Sequence, residues 1–172
     1  WENLYAMNRD IIDQGAARLF FVRDPVEKSI TGAKMLQSKA PLHPQRPELG
    51  MREVKLEGDI RVFLTAEDAT DLKPGTILRL KDLGNMEVLD GHEHRYIGND
   101  LAVLKQGARI VHWVGPESIP TKVHMPDGTT VTGLAEKEAL KYLGKVVQFE
   151  RFGFVKLDSR DEKGIAAFFT NK

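Results

Sequence analysis

The sequence contains no cysteine, and this absence excludes disulfide bonds and thiolate metal sites. It also contains no apolar run close to the roughly 20 residues that a membrane-spanning helix needs. No charged and then apolar segment indicates a secretory signal. We therefore expect a cytoplasmic protein with no membrane partner.

An excess of charge of either sign is absent as well, since 25 Lys and Arg residues balance 25 Asp and Glu residues. Overall neutrality argues against a protein that holds DNA or another polyanion without regard to sequence, through counterion release. Positive charge is instead local, because residues 18–52 contain seven basic and three acidic side chains. Recognition of an anion therefore depends on where these side chains lie.

Familiar catalytic motifs are also missing. No Gly-rich phosphate-binding loop, no His-Glu-x-x-His pair and no Gly-x-Ser-x-Gly elbow occurs in the chain. Asp90, His92 and His94 alternate at a spacing that can bind a metal ion, but their polar surroundings fit a solvated hairpin tip. We expect no metal there, and the sequence offers little support for catalysis.

Short alternating or apolar runs, separated by turn signals, make up most of the chain and predict a mainly β fold. The predicted strands cover residues 19–22, 26–30, 54–57, 60–64, 77–81, 86–89, 110–114, 121–125, 129–132, 146–157 and 165–169. Many short strands at this spacing indicate barrels or a sandwich, and barrels remove exposed edges. Apolar spacing predicts one short helix in residues 1–13, and helix-forming composition predicts another in residues 135–143.

A seam at Gly115-Pro116 divides the predicted strands between two β-barrels. We assign residues 18–49 together with 115–172 to the first, proximal barrel and residues 50–114 to the second, distal barrel.

Three prolines stiffen the loop of residues 41–52, because each fixes its own φ and biases the preceding residue toward extended backbone. In this loop Arg46, Arg52 and nearby His43 present donors that suit an anionic ligand. His43 is able to bind a base or simply to order its own loop, and the residues leave both interpretations open. Together with Arg18 and residues 148–151, the loop indicates recognition of RNA.

Gln148 and Arg151 combine an amide, which both donates and accepts, with a forked guanidinium, and this combination suits the edge of an unpaired base. In one ideal strand the two side chains lie on opposite faces, so both reach one ligand only if the strand twists or bulges. Gly153 is placed to allow this. In the alternative interpretation, Arg151 forms a surface ion pair with Glu150 or Asp158.

Arg79 and Lys81 share one face of an alternating strand whose other face carries Leu78 and Leu80. This basic face suits a phosphate or a base, although a solvated face is the commoner reason for such alternation. Trp113 lies in an apolar run, which predicts a core tryptophan rather than a base-stacking one.

Four motifs follow one another along nearly the whole chain. They are Arg18-(x)5-Asp24-Pro25-Val26, His43-Pro44-x-x-Pro47-Glu48-x-Gly50-x-Arg52, Ile110-Val111-His112-Trp113-Val114 and Gln148-Phe149-Glu150-Arg151-x-Gly153. In residues, order and spacing they resemble the C-terminal anticodon-binding region of archaeal and eukaryotic glutamyl- and glutaminyl-tRNA synthetases. The resemblance implies two barrels that follow a helical subdomain, the last part of which is residues 1–17.

The same resemblance implies that splayed anticodon bases are held between the two barrels. The side chains that it assigns to this role are Arg18, Pro44, Gln45, Arg46, Arg79, Lys81, Gln148 and Arg151. Asp82, directly after Lys81, departs from the glutaminyl pattern, and its negative charge conflicts with a base or phosphate contact of that lysine. The ATP- and Mg-dependent Rossmann domain of the family has no counterpart in these residues, so we do not expect this chain alone to aminoacylate tRNA.

Compact loops and the run of residues 166–172 resemble archaeal glutamyl enzymes more than glutaminyl ones. The expected partner is therefore the glutamate tRNA, with the glutamine tRNA as a second partner, bound by a monomer. Two alternatives stay open. One is the same region of a glutaminyl-tRNA synthetase, and the other is a β-barrel protein-interaction domain that does not bind RNA.

Overall fold

Sixteen short strands form two seven-stranded sheets and a two-stranded ribbon in the computed structural model, which describes residues 4, 6, 7 and 15–172. The strands are β1 (Arg18–Leu19), β2 (Phe21–Arg23), β3 (Pro25–Thr31), β4 (Met35–Pro41), β5 (Met51–Glu57), β6 (Ile60–Thr65), β7 (Ile77–Leu80), β8 (Gly84–Val88), β9 (Glu93–Gly98), β10 (Arg109–Val111), β11 (Trp113–Val114), β12 (Ile119–His124), β13 (Thr130–Ala135), β14 (Val146–Phe149), β15 (Gly153–Asp161) and β16 (Gly164–Asn171). The helices are α1 (Ala66–Ala69), α2 (Ala102–Lys105) and two 3-10 helices, Pro47–Leu49 and Lys137–Tyr142. No helix of the described residues has the length and hydropathy that a membrane crossing requires.

The chain divides into two units. The first contains the described residues up to Phe21, together with Pro41–Met51 and Glu117–Lys172, and the second contains Val22–Ala40 and Arg52–Pro116. The division predicted from the sequence placed residues 22–40 with the first barrel. In the structure β3 instead pairs with β6 and β9 of the second sheet.

The first sheet has the strand order β1-β14-β15-β16-β12-β13-β2. Its two outer strands, β1 and β2, are separated by Phe20 alone, so the sheet must curve round into a nearly closed barrel. Alternate residues of each strand fill its interior, as period-two side-chain placement requires. The interior includes Leu19, Phe21, Val123, Val147, Phe149, Val155, Leu157, Ile165 and Ala167.

The second sheet has the order β10-β7-β8-β9-β3-β6-β11, and its outer strands are separated by His112 alone. Its buried apolar residues include Val62, Leu64, Leu78, Leu80, Met86, Val88, Val111 and Trp113. Trp113 is a core residue, as predicted, and its Nε1 donates to the carbonyl oxygen of Lys81 at 2.8 Å.

The mainly β fold with two barrel-like sheets is confirmed, and the short helix near residues 135–143 is present as a 3-10 helix. The single long strand predicted for residues 146–157 is wrong, because the chain reverses at residues 150–152 to form the β14–β15 hairpin. Strands β4 and β9 were not predicted. The predicted helix of residues 1–13 lies mostly outside the described residues, of which Leu4, Ala6 and Met7 are helical.

Candidate nucleic-acid interface

Arg18 and Gln148 lie side by side, although 129 residues of chain separate them. β1 and β14 are parallel, and their register pairs Arg18 with Gln148 and Leu19 with Phe149. Leu19 and Phe149 point into the barrel interior and are fully buried, so Arg18 and Gln148 point to its outer surface, where both are half-buried. The structure therefore brings two of the predicted site residues together.

The backbone on both sides of this pair is held firmly. The Gln148 nitrogen donates to the carbonyl of Ala17 at 2.9 Å, and the Glu150 nitrogen donates to the carbonyl of Leu19 at 3.0 Å. The side-chain oxygen of Gln148 is buried and accepts no hydrogen bond from the described residues. A buried acceptor in this state gains free energy when a ligand supplies a donor.

Arg151 lies in the turn that ends β14, three residues beyond Gln148. The Phe152 nitrogen donates to the Phe149 carbonyl at 2.9 Å and closes the turn. Arg151 is exposed and has φ +64°, a left-handed conformation that Gly or Asn usually adopts at such a position. The predicted continuous strand, with Arg151 opposite Gln148, is therefore replaced by a hairpin whose tip presents the guanidinium.

A cluster of aromatic rings supports this hairpin. Phe21 stacks on Phe149 with centroids 4.7 Å apart, and Phe152 meets the edge of Phe21 at 5.1 Å and of Phe169 at 5.9 Å. Gly153, with φ +144°, leaves no room for a side chain, because a Cβ there would lie 2.6 Å from the Phe169 ring and 2.8 Å from the Asn171 carbonyl oxygen. The rings and the glycine therefore fix the direction of the turn.

The proline-rich loop adjoins β1 in the same unit. The Leu42 carbonyl accepts from the Arg18 nitrogen at 2.7 Å, and the Leu42 nitrogen donates to the Gly50 carbonyl at 3.1 Å. These two bonds close the base of the loop beside Arg18. Pro44 and Gln45 are exposed at its surface.

His43 and Arg52 are not the exposed donors that the sequence predicted. His43 is 2% exposed, and its Nδ1 accepts from the Gln45 nitrogen at 3.0 Å, so the ring orders its own loop. Arg52 is 3% exposed and lies 3.4 Å from Asp82. Both side chains are buried, and each has a partner within the protein that offsets the free-energy cost of burying its polar group.

Arg46 is half-buried and already has two partners. Its Nε lies 2.6 Å from Glu48 Oε1, and its Nη1 donates to the Gly15 carbonyl at 3.2 Å. The hydrogen bond from Arg46 is the main reason that the pKa of Glu48 lies below its usual value. Arg46 therefore has less free donor capacity than the sequence suggests.

Arg79 and Lys81 belong to the second unit. Arg79 lies on the outer side of β7, since Leu78 and Leu80 are buried as predicted, and Lys81 directly follows the end of the strand. Arg79 Nη1 donates to Asn85 Oδ1 at 2.9 Å, and the two residues are paired across β7 and β8.

Asp90, His92 and His94 take different roles at the β8–β9 connection. Asp90 Oδ1 accepts from the nitrogens of His92 and Glu93 at 2.7 and 2.8 Å, and His94 is fully buried. Within the part of the chain that the structure describes, no three His, Asp or Glu side chains are grouped so that they could hold a metal ion.

Two family models match this chain, and both describe the anticodon-binding domain of class I tRNA synthetases of the E and Q type. One matches residues 16–102, and the other matches residues 110–158. The chain belongs to this family. The paired strands β1 and β14 thus join residues matched by the first model to residues matched by the second.

Curated relatives agree with this family. A glutamate–tRNA ligase of Methanocella arvoryzae is 48% identical over 92% of this chain, and those of Pyrococcus abyssi and Pyrococcus furiosus are 38% and 39% identical over all of it. The aligned part is 28% of the first relative's length and 31% of the other two. This anticodon-binding domain therefore spans about a third of the relatives that it matches.

Sequence analysis missed one polar residue of the domain that positions a site residue. Asn85 is buried, accepts from Arg79 and donates through Nδ2 to the Asp100 carbonyl at 2.8 Å. The strand predicted over residues 86–89 excluded Asn85, whereas β8 already begins at Gly84. Its burial and its position opposite Arg79 appear only in the structure.

Proposed function

We propose that this chain binds tRNA by contacting unstacked anticodon bases, and that the glutamate tRNA is its partner. The observation that carries the proposal is the register of β1 and β14, which places Arg18 beside Gln148 on the outer surface of the first barrel. Membership of the anticodon-binding family supports the same role. The names of the archaeal relatives favour glutamate, with the glutamine tRNA as a second partner.

Each proposed contact uses a different chemical group. The amide oxygen of Gln148, which accepts no hydrogen bond from the described residues, would accept from a base amino or imino group. Arg151 would donate two parallel hydrogen bonds to a base edge or a phosphate from its rigid turn. Arg18, next to Gln148, would add a positive charge to the same surface.

The other predicted site residues of the first unit would act at the margins of this contact. Pro44 and Gln45 offer an exposed apolar ring and an exposed amide, and Arg46 would have to exchange part of its contact with Glu48 for an RNA contact. In the second unit, Arg79 and Lys81 would supply further positive charge.

A binding titration tests the proposal. A labelled glutamate tRNA transcript is titrated with the chain at several salt concentrations, and log K should fall as log salt rises. Replacing Arg151 by Ala should weaken binding by about 1–3 kcal/mol, because a guanidinium on a base edge is lost. Gln148→Ala should also weaken it, since the amide that is proposed to read the base is removed.

Arg160→Ala is the matched control. Arg160 is also exposed and also belongs to the first unit, but it lies near the far end of β15, roughly 20 Å along the strand from Gly153. Its replacement should leave the affinity close to that of the wild type. Equal losses for Arg151→Ala and Arg160→Ala would show binding by general charge, and no binding of the wild type would favour the protein-interaction alternative.

A further inference from the structure

An aromatic ring that is not one of the proposed base-reading residues lies exposed on the outer face of the first barrel. Phe168 of β16 is 47% exposed, and its ring stacks on His124 of β12 with centroids 5.1 Å apart and planes inclined by 29°. The two residues are directly paired in the parallel β12–β16 ladder. Together the two rings form a short aromatic stack on the barrel surface, called here the Phe168 platform.

Positive charges flank this platform on the same face of the sheet. Lys156 of β15 is paired with Phe168, and it is exposed. Lys122 precedes His124 by two residues on β12, so it points to the same side, and it is also exposed. Their neighbours Val123, Val155, Leu157 and Ala167 point into the barrel, which fixes the outward direction of the two platform residues and of both lysines.

Asp158, the acidic residue two positions after Lys156 on β15, lies outside the row of paired residues that contains Lys156 and Phe168. Asp158 is the extra residue at the register shift between Leu157 and Ser159, where β15 departs from the β16 ladder. The row from Lys156 through Phe168 to His124 is therefore aromatic and basic. This combination suits a stacked base with its phosphate better than it suits an apolar or a basic partner.

The platform is also continuous with the proposed interface. β14 pairs with β15 so that Gln148 faces Phe154 and Val146 faces Lys156. Gln148 and Val146 point to the same face of β14. Lys156, opposite Val146, therefore lies on that face two residues along the strand from the paired residues Gln148 and Phe154.

We infer that the Phe168 platform binds an unpaired nucleotide of the same tRNA, which stacks its base on Phe168 and directs its phosphate toward Lys156 and Lys122. This inference rests on the proposed tRNA binding and adds a second contact outside the predicted base-reading residues. The stacking is independent of base identity, because every base has a π face. The platform therefore contributes affinity rather than sequence selectivity.

Three replacements of Phe168 separate stacking from packing. Phe168→Ala should weaken binding of the glutamate tRNA transcript roughly five- to 100-fold, and Phe168→Leu, which keeps an apolar side chain, should weaken it nearly as much. Phe168→Trp should keep the affinity, and its fluorescence should be quenched on titration with tRNA beyond the change seen in the wild type. The wild type, which contains Trp1 and Trp113, supplies the background for this comparison.

Leu143→Ala is the matched control, because Leu143 is another exposed apolar residue of the first unit, at 38%. It should leave the affinity unchanged. Lys156→Gln should weaken binding and reduce the salt dependence.

The outcomes distinguish the two proposals. If Arg151→Ala weakens binding while Phe168→Ala and Phe168→Leu do not, the platform inference is overturned and the anticodon proposal stands. Loss with Phe168→Ala but not with Phe168→Leu would show an apolar contact instead of stacking and would also overturn it. If the wild type binds no tRNA, both fail.

Discussion

Gly153 is the position where a single methyl group should test the architecture of the Arg151 turn. In Gly153→Ala the new Cβ would lie 2.6 Å from the Phe169 ring and 2.8 Å from the carbonyl oxygen of Asn171. Phe169 cannot move away freely, because its ring packs edge-on against Phe152. The carbonyl belongs to the backbone of β16, so the strand itself would have to shift.

The expected loss combines two terms. The backbone at Gly153 has φ +144°, a conformation that costs an alanine about 1–3 kcal/mol. Crowding against a packed ring and a backbone carbonyl adds about 1–3 kcal/mol, the usual range for overpacking. Because relaxation at one contact also relieves the other, we expect the free energy of unfolding to fall by about 2–4 kcal/mol.

Urea unfolding followed by far-UV circular dichroism measures this loss through the shift of the midpoint. Gly128→Ala is the control, since Gly128 has a similarly positive φ of +86° but no atom within 4 Å of its would-be Cβ. That control should cost about 1–2 kcal/mol, from the backbone alone. Losses of the same size at both positions would refute the proposed crowding at the Arg151 turn.

Two further predictions concern the second unit. Burial lowers the pKa of His94 below its ordinary 6.5, with nearby Lys28 acting in the same direction and Asp90 opposing it. As the pH drops below 6.5, the unfolded chain therefore takes up a proton at His94 more readily than the folded chain does, and the free energy of unfolding should fall. Removing this group in His94→Leu should give a flatter dependence of the melting temperature on pH than His92→Gln, the control, gives. Asp82→Asn should cost about 1–2 kcal/mol in urea unfolding, because it removes the charge of a carboxylate that lies 3.4 Å from the buried Arg52 guanidinium, although Asp82 is itself 35% exposed. The exposed pair of Lys39 and Glu53 supplies the control, Glu53→Gln, whose loss should stay under about 1 kcal/mol; equal losses would contradict this reasoning.

Strand positions were predictable wherever one face of a strand is buried. The alternation of Leu78 and Leu80 with Arg79 and Lys81 predicted β7 and the outward direction of Arg79, although the strand ends before Lys81. β4 was missed because its sequence, Met35–Pro41, mixes Gln, Ser, Lys and Pro with few apolar residues. Leu36, Ser38 and Ala40 alternate as buried residues of this strand, but their burial comes from neighbours elsewhere in the chain that the local sequence does not reveal.

The hairpin of β14 and β15 was missed for a different reason. Its turn contains neither Pro nor Asn, and Arg151 adopts a left-handed conformation that its residue type does not predict. Packing of Phe152 against Phe21 and Phe169 supplies the free energy that holds the turn in place. A local pattern does not reveal such compensation, because the rings come from three separate strands or turns.

By itself the sequence determined the mainly β class, the outward basic face of β7, the core position of Trp113 and the resemblance to an anticodon-binding family. Only the tertiary structure decided that Arg18 pairs with Gln148, that His43 and Arg52 are buried, and that Phe168 stands exposed between Lys156 and His124. The physical reason is that side-chain periodicity is a local property of a strand. Which strands become neighbours, and which polar groups find partners, depends on contacts between different elements, and for Arg18 and Gln148 these lie 130 positions apart in the sequence.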